Sequence, residues 1–345
     1  MPPATASQQA RRPVRELTAG EKLDQVFLVA RKDLRTTASG ALYIHLVLAD
    51  RSGQLLGRVW QASETQYAQI PDGGFLRFRG RTESYKGALQ FIVDGMQPVD
   101  EKALDLGDFI PRTEHDVEEM WGRLLEILRT VQDRSLLLLI KKFVEDKSIV
   151  DRFKQSPAAV ALHHAFVGGL LEHTLSLLDL ATRIFGKKEA SDSLYPKLSR
   201  DLILTGIFLH DIGKSWELGF DTSFKYTDGG QLIGHIVQAA VWIDRKCAEV
   251  EEETGQPFPE ALQNALTHIV LAHHGTYEFG SPKLPATPEA IAVHHLDNLD
   301  AKINQFVRAI ESDGDDASNW TDYVPSLQTR IYKRKGTASD AGTKG

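Results

Sequence analysis

The chain has 345 residues, a formal net charge of −7 and a single cysteine, Cys247. This length permits two domains with separate apolar cores, and a lone cysteine excludes an internal disulfide, as is usual in a reducing compartment. The longest tightly apolar run, Leu136 to Ile140, is far too short to span a membrane, and no apolar core follows Arg11 and Arg12. We therefore expect a cytoplasmic protein without a membrane partner. Its acidic net charge argues against a protein surface that is basic throughout and binds nucleic acid.

Composition and periodicity divide the chain into five predicted segments. They are a flexible leader (1–14), a domain of strands (15–105), a helical connection (106–155), a helical domain (156–312) and a C-terminal segment with a flexible tail (313–345). The connection could equally supply the first helices of the second domain. The basic end from about Gln328 is able to touch an anionic partner, but a solvated tail is the simpler interpretation.

Alternating apolar residues predict five strands in the first domain. The strands are Val26–Ala30, Leu42–Leu48, Leu55–Trp60, Phe75–Arg81 and Leu89–Val93. A short helix is expected over Ser63–Ile70, between the third and fourth strands. This order is typical of the OB-fold, a small Greek-key barrel. We predict a multidomain protein in which an all-β OB-fold barrel precedes an all-α helical bundle.

OB-folds bind single strands on their second and third strands and in the loops between strands 1 and 2 and between strands 4 and 5. Aromatic or cationic residues occur in both loops, on the outward face of the second strand and as a one-sided row on the fourth. These candidates are Arg35, Tyr43, His45, Arg77, Arg79, Arg81, Tyr85 and Lys86. Each alone is more simply a solvated surface residue. Together they are consistent with weak binding of RNA or single-stranded DNA without sequence preference.

Ten of the twelve histidines lie within residues 163–295. A lone histidine on an apolar helix face is usually a core residue, but several on successive helices favour a ligand role. Five predicted helices carry an imidazole or a carboxylate on the inward stripe or at the helix end. These residues are His173, the His210-Asp211 pair, His235, the His273-His274 pair and Asp297. The helix with His235 is expected to include Leu232 on the same face.

A buried metal centre accounts for these side chains together, because buried polar groups cost several kcal/mol unless they are paired or bound to metal. Imidazole and carboxylate without sulfur suit Mn²⁺, Fe²⁺, Co²⁺, Ni²⁺ or Zn²⁺. Asp211 has two oxygens and can bridge two ions. Paired metals can activate a water, clamp a phosphoryl group and neutralise the leaving oxygen.

The ordered series of histidine, histidine-aspartate, histidine, histidine pair and aspartate resembles the HD superfamily of metal-dependent phosphohydrolases. The local sequences are similar to those of the YhaM-type 3′-5′ exoribonucleases, which place an OB-fold before the HD domain. The matching segments are His163-His164, Gly168–Thr174, His210–Lys214, His273–Gly275, Phe279–Pro282 and His295–Asp300. The resemblance covers roughly residues 20–310 and implies that residues 156–312 form an HD-type domain.

The resemblance also implies roles for individual residues. The implied metal ligands are His173, His210, Asp211, His235, at least one of His273 and His274, and Asp297. Asp211 would be the bridge, and Lys214 would stabilise charge on the phosphate. An equally good interpretation of Lys214 is a lysine at a helix end that interacts favourably with the helix dipole. His164 would contact phosphate, support the site or pack a helix. HD relatives with a third metal carry a glutamate at position 169, which is glycine here, so two divalent ions at most are expected, manganese first.

The expected function is stepwise hydrolysis of single-stranded RNA, with single-stranded DNA as a second candidate, from the 3′ end to nucleoside 5′-monophosphates. Only the resemblance supplies the polarity. One alternative is an HD phosphohydrolase acting on a small nucleotide, with the barrel serving regulation or assembly. Another alternative is a non-catalytic single-strand nucleic-acid-binding protein. The presence of every expected metal ligand argues against this alternative. Whether the chain forms a homo-oligomer is left open.

Overall fold

The computed structural model describes residues 11–333 except 38, 72, 86–87, 111, 160–165, 187–192, 221–223, 312 and 314–317. The chain forms two compact units. The first comprises residues up to 114 together with 219–225, and the second comprises residues 115–218 together with those from 226 onward. The first unit thus extends past the predicted boundary at residue 105. Among the described helices, none has both the length and the apolar character needed to cross a membrane.

Five strands close into a barrel in the first unit. They are β1 (Lys22–Thr36), β2 (Leu42–Asp50), β3 (Gly53–Trp60), β4 (Phe75–Tyr85) and β5 (Ala88–Pro98), with α1 (Glu64–Gln69) after β3. Their order around the barrel is β1-β2-β3-β5-β4. The long β1 closes it, because its first half pairs with β4 and its second half with β2. This order and the position of α1 confirm the predicted OB-fold.

Alternation along the strands fills the barrel with aromatic rings. Phe27, Phe78 and Phe91 are fully buried, and the Phe27 ring centroid lies 6.4 Å from that of Phe78 and 5.9 Å from that of Phe91. Because side chains alternate across a strand, Arg77 and Arg79 on either side of Phe78 point outward and are exposed. The core of the barrel therefore decides which residues of β4 face the solvent.

Ten helices and a two-stranded sheet are described in the remainder of the chain. They are α2 (Val117–Leu128), α3 (Arg134–Val144), α4 (Lys147–Phe153), α5 (Gly169–Phe185), α6 (Arg200–His210), α7 (Lys214–Glu217), α8 (Asp228–Ile233), α9 (His235–Thr254), α10 (Glu260–Ala272), α11 (Pro288–Glu311), β6 (Leu218–Phe220) and β7 (Phe224–Tyr226). Helices α2, α3 and α4 share one apolar core with α5, α6, α9, α10 and α11. The predicted connection thus supplies helices of the second unit.

Helix α6 lies at the centre of this bundle. Ser199 caps its N-terminus by accepting a hydrogen bond from the Leu202 N–H, and all residues from Leu202 to Gly213 are buried. A helix that is apolar on every side belongs in the middle of a core. The His210-Asp211 pair at its end is therefore enclosed by protein.

Two sequence predictions are wrong in the second unit. Leu232 does not share a helix face with His235: it lies in α8 and is 85% exposed, because Gly234 adopts a φ of 78° and separates α8 from α9. The C-terminus is not a solvated tail throughout residues 328–333. Residues 318–333 form a small hairpin, called the C-terminal hairpin below, in which Ile331 is buried.

Candidate metal centre

Five segments of the second unit deliver side chains to one buried pocket. They are the first half of α5, the end of α6, the start of α9, the residues after α10 and the middle of α11. The potential ligand atoms form two groups, and within each group the atoms lie within 4.8 Å of one another. The first group is His173, His210 and Asp297, and the second is Asp211, His235, His273 and His274. The structure therefore brings together all seven predicted metal ligands.

Asp211 lies between the two groups and presents one oxygen to each. Its Oδ2 lies 3.3 Å from His210 Nε2, and its Oδ1 lies 3.4 Å from the Nε2 atoms of both His235 and His273. Neighbouring side chains in a regular helix diverge by about 100°. Here Asp211 leaves the helical conformation, with φ −110° and ψ 6°, so that both side chains turn toward the pocket.

The chemistry of the pocket fits divalent metal ions. Within the described part of the chain, no hydrogen-bond partner is present for His210 Nε2, Asp211 Oδ1, His235 Nε2 or His273 Nε2, all of which are buried. Each buried polar atom left unsatisfied costs about 1–3 kcal/mol. Four such atoms directed at one space fit a bound cation, and nitrogen with carboxylate oxygen favours a first-row transition ion.

Backbone carbonyls fix the tautomer of three of these histidines. The Nδ1 atoms of His210, His273 and His274 each lie 2.7 Å from a carbonyl oxygen, of Ile207, Val270 and Phe279 respectively. Because a carbonyl oxygen only accepts, each Nδ1 carries the proton and donates it. Each Nε2 is then left with a lone pair, which is the form that binds metal.

Carboxylates orient the other two histidines. Asp300 Oδ2 lies 2.8 Å from His173 Nδ1, and Ser176 Oγ donates to Asp300 Oδ1 at 2.6 Å. Glu217 Oε2 lies 2.9 Å from His235 Nδ1, and its Oε1 accepts the His235 N–H at 3.1 Å. Each ligand group thus contains one histidine held by a carboxylate. Asp300 and Glu217 were not predicted as site residues, although Asp300 follows Asp297 by about one helical turn.

Opposite charge keeps Asp211 ionised. Burial alone would raise its pKa, but the Lys214 ammonium, 2.6 Å from Oδ2, holds the pKa well below its usual range. Burial lowers the pKa of Lys214, yet Asp211 outweighs burial and raises it. The pair is therefore ionised at neutral pH, with the carboxylate ready to bind metal.

Two histidines of the pocket differ in their protonation state at neutral pH. Burial, followed by the neighbouring His273, lowers the pKa of His274 to about 3, so that this ring is neutral at pH 7. Burial also opposes the protonation of His173, but Asp297 and Asp300 outweigh it and raise the pKa to about 9. A metal that binds His173 at neutral pH must therefore displace a proton.

Gly213 lets α9 approach the end of α6. A Cβ atom at this position would overlap the backbone carbonyl of His235, although the φ of −65° suits any residue. The glycine of the His210–Lys214 sequence is thus required for close packing, and it brings His235 next to Asp211. Of the other predicted catalytic residues, Lys214 lies in the pocket and His164 lies outside the described residues.

The barrel carries a partly exposed cluster of aromatic rings around one arginine, called the aromatic-arginine cluster below. It consists of Tyr43, Arg58, Trp60 and Tyr85. The Arg58 guanidinium carbon lies 5.4 to 5.9 Å from the three ring centroids, and the Tyr43 and Trp60 centroids are 5.1 Å apart. Arg58 and Trp60 were not among the predicted nucleic-acid contacts, although their spacing of two on β3 places both on the outward face.

The other predicted nucleic-acid contacts are less concentrated. Arg77, Arg79 and Arg81 form the expected exposed row on β4, but Arg77 pairs with an aspartate at 2.7 Å and Arg81 with another at 3.4 Å. Arg35 lies in β1 and Tyr85 in β4, so the prediction that these two occupy loops is wrong because both strands are longer than expected. Arg35 and His45 both approach Asp33, and Lys86 lies outside the described residues.

A helical bundle with this buried histidine and aspartate pocket defines a metal-dependent phosphohydrolase of the HD class, and the HD domain family matches residues 170–302. The chain is 31% identical to the 3′-5′ exoribonuclease YhaM of Bacillus subtilis (strain 168) and 33% identical to that of Bacillus pumilus (strain SAFR-032). Both alignments span 314 residues, 91% of this chain and 95% of each relative. The chain belongs to the YhaM 3′-5′ exoribonuclease family, which confirms the resemblance.

Two solved structures that resemble the chain match a short part of it. PriB from Ralstonia solanacearum covers 23% of this chain and 97% of its own, with 16% identity and a TM-score of 0.21. The second OB-fold domain of replication protein A from Methanococcus maripaludis covers 27% and 98%, with 20% identity and a TM-score of 0.21.

Proposed function

We propose that the protein removes nucleotides one at a time from the 3′ end of single-stranded RNA, using two divalent transition-metal ions, with Mn²⁺ the first candidate. Membership of the family makes it a metal-dependent 3′-5′ exoribonuclease with a nucleic-acid substrate. The observation that carries the proposal of two ions is the position of Asp211, which offers one oxygen to each ligand group.

The charge of the pocket also supports two ions. Four carboxylates lie in it or against its histidines, and one ammonium accompanies them. They are Asp211, Asp297, Asp300 and Glu217, with Lys214 as the cation. Unbalanced buried charge is costly. Two divalent ions, with all histidines neutral, would leave one net positive charge, which suits a single phosphodiester anion.

The protein's own residues would hold the reacting groups in place. Bound divalent ions would supply charge stabilisation and an activated water for in-line hydrolysis of the terminal phosphodiester. His173, His210 and Asp297 would hold one ion, and His235, His273 and His274 the other, with Asp211 between them. The Lys214 ammonium would add positive charge beside Asp211, where a phosphate oxygen would bind.

The aromatic-arginine cluster supports a polymeric substrate rather than a small nucleotide. Exposed rings stack with bases whatever their sequence, and each stacked base is worth about 1–3 kcal/mol. Arg58 adds positive charge next to the rings, with its guanidinium carbon 5.4 Å from the Trp60 centroid. Such a surface on the barrel would retain the strand while its end is hydrolysed.

The test uses the full chain, reconstituted with Mn²⁺, and single-stranded RNA labelled at its 5′ end. Stepwise action from the 3′ end produces a ladder shortening by single nucleotides, and a 3′-phosphate on the RNA should delay its start. A single internal cut, or hydrolysis of mononucleotides and cyclic nucleotides without hydrolysis of RNA, contradicts the proposal. Labelled single-stranded DNA of the same sequence measures the preference between the two polymers.

Variants test the assignment of the pocket. Asp211→Ala removes the carboxylate between the two groups and should abolish the ladder. Asp179→Ala is the matched control, because Asp179 lies on α5 and pairs with Arg123 outside the pocket, at 2.7 Å. Nuclease activity that survives in Asp211→Ala at the level of Asp179→Ala overturns the catalytic role.

A further inference from the structure

The C-terminal hairpin displays aromatic side chains that its own fold does not cover. Antiparallel bridges join Trp320 to Tyr332 and Val324 to Thr329. Ile331 is buried on one face, whereas Trp320 and Tyr332 on the other are 48% and 55% exposed. Their ring centroids lie 5.3 Å apart with an interplanar angle of 64°. Adjacent exposed aromatic rings offer faces on which nucleic-acid bases can stack.

Hydrogen bonds hold this aromatic pair in a fixed position. The Thr321 N–H donates to the Ile331 carbonyl at 2.9 Å, and the Lys333 N–H donates to the Asn319 carbonyl at 2.7 Å. Lys333 Nζ lies 2.7 Å from Asp313 Oδ1, which ties the hairpin to the chain just after α11. A partner that stacks on the rings would not have to order this segment, so less binding free energy is lost.

The hairpin has a small positive charge in a chain that is acidic overall. Its residues 318–333 contain two cations, Arg330 and Lys333, and one acid, Asp322, against a net charge of −7 for the whole chain. Lys333 pairs with Asp313, so the exposed Arg330 is the cation of the hairpin that can meet a phosphate. Aromatic faces accompanied by positive charge are typical of surfaces that bind single strands without sequence preference, whereas charged residues are depleted in the core of protein-protein interfaces.

We propose that the C-terminal hairpin is a second stacking site for single-stranded nucleic acid, separate from the barrel, which holds the substrate strand on the 5′ side of the scissile bond. The assignment of the strand as substrate rests on the proposed function. From Asp297 to the end of α11 at Glu311 the helix rises about 21 Å. A strand with a rise of 3.4 Å per nucleotide spans this distance with about six nucleotides. Only longer strands would therefore reach both the pocket and the hairpin.

The first measurement compares the binding of long and short RNA to metal-free protein, in which no hydrolysis occurs. Trp320→Ala combined with Tyr332→Ala should weaken binding of an RNA of about 20 nucleotides by about fivefold or more for each lost base contact, and leave a trinucleotide unaffected. Tyr195→Ala is the matched control, because this tyrosine of the second unit is also 55% exposed. Unchanged affinity for the long RNA overturns the proposal.

The second measurement observes Trp320 directly. In a Trp60→Phe background, which removes the exposed tryptophan of the barrel, the long RNA should quench fluorescence, and adding Trp320→Phe should remove that part of the quenching. Equal quenching with and without Trp320 refutes the site. A smaller sedimenting mass of the Trp320→Ala, Tyr332→Ala variant would assign the hairpin to contacts between copies of the chain and also refute it.

These outcomes are independent of catalysis. Metal-loaded Trp320→Ala, Tyr332→Ala protein should hydrolyse a trinucleotide at the wild-type rate, since the pocket is untouched. A wild-type protein that binds RNA through Trp320 but hydrolyses none would contradict the proposed function alone.

Discussion

Asp300 lies outside both groups of potential metal ligands, yet its replacement by asparagine should weaken one of the two proposed metal sites. The carboxylate pairs with His173 Nδ1 at 2.8 Å and accepts from Ser176 Oγ at 2.6 Å. Asparagine has nearly the same shape but only one accepting oxygen and no charge, so one of these contacts is lost or reversed. A hydrogen bond to a charged group is worth about 1.5–3 kcal/mol. Asp300→Asn should therefore weaken Mn²⁺ binding by the His173 group about 10- to 100-fold, in the range usual for residues that orient ligands.

The assay is calorimetric titration of Mn²⁺ into metal-free protein at fixed pH. The wild type should show two sites, Asp300→Asn should weaken one of them, and Glu217→Gln should weaken the other, because Glu217 holds His235 at 2.9 Å. Asp179→Asn on the surface of α5 serves as the control for a lost carboxylate. If each variant weakens both sites equally, or neither site changes, the division into two independently oriented groups is wrong. Thermal unfolding of each metal-free variant separates this effect from a loss of folding.

Three further predictions concern packing, reactivity and RNA binding. Gly213→Ala should lower both the melting temperature and the affinity for Mn²⁺. The control is Gly122→Ala, whose added methyl meets nothing within 4 Å and should change stability by about 1 kcal/mol or less. Equal melting temperatures and Mn²⁺ affinities of the two variants would contradict the overlap between a Cβ at position 213 and the His235 carbonyl. Burial raises the pKa of Cys247 to about 12, so native protein at pH 8 should resist a disulfide reagent that labels unfolded protein quickly, and fast native labelling would refute this. Trp60→Ala should weaken single-stranded RNA binding by about 1–3 kcal/mol in filter binding, and an unchanged affinity would remove Trp60 from the binding surface.

The barrel could be predicted because its strands follow a period of two and its helix has a capping signal. Ser63 accepts a hydrogen bond from the Gln66 N–H and forms a capping box. The ends of the strands could not be predicted, because pairing with a neighbour rather than apolar alternation decides where a strand stops. Arg35 and Tyr85 lie in strands for this reason.

The potential metal ligands could be predicted from helical periodicity and family resemblance, since each lies on an inward stripe or at a helix end. Asp300 and Glu217 could not be assigned in the same way. Their role depends on which ring nitrogen of His173 or His235 faces outward, and this is set by packing between distant segments. The same holds for Arg58, because its contacts with Tyr43 and Tyr85 require the register between four strands, β2, β3, β5 and β4.

The central position of α6 has a consequence for how the protein tolerates mutation. Its residues from Leu202 onward have no solvent-facing side on which substitutions are neutral, and the same helix ends in the His210-Asp211 pair. A packing change along it shifts the pair that links both ligand groups. Random mutagenesis followed by selection for inactive protein should therefore recover aliphatic positions of α6 as readily as the histidines themselves, and second-site revertants should lie in α5 and α10, which pack against it.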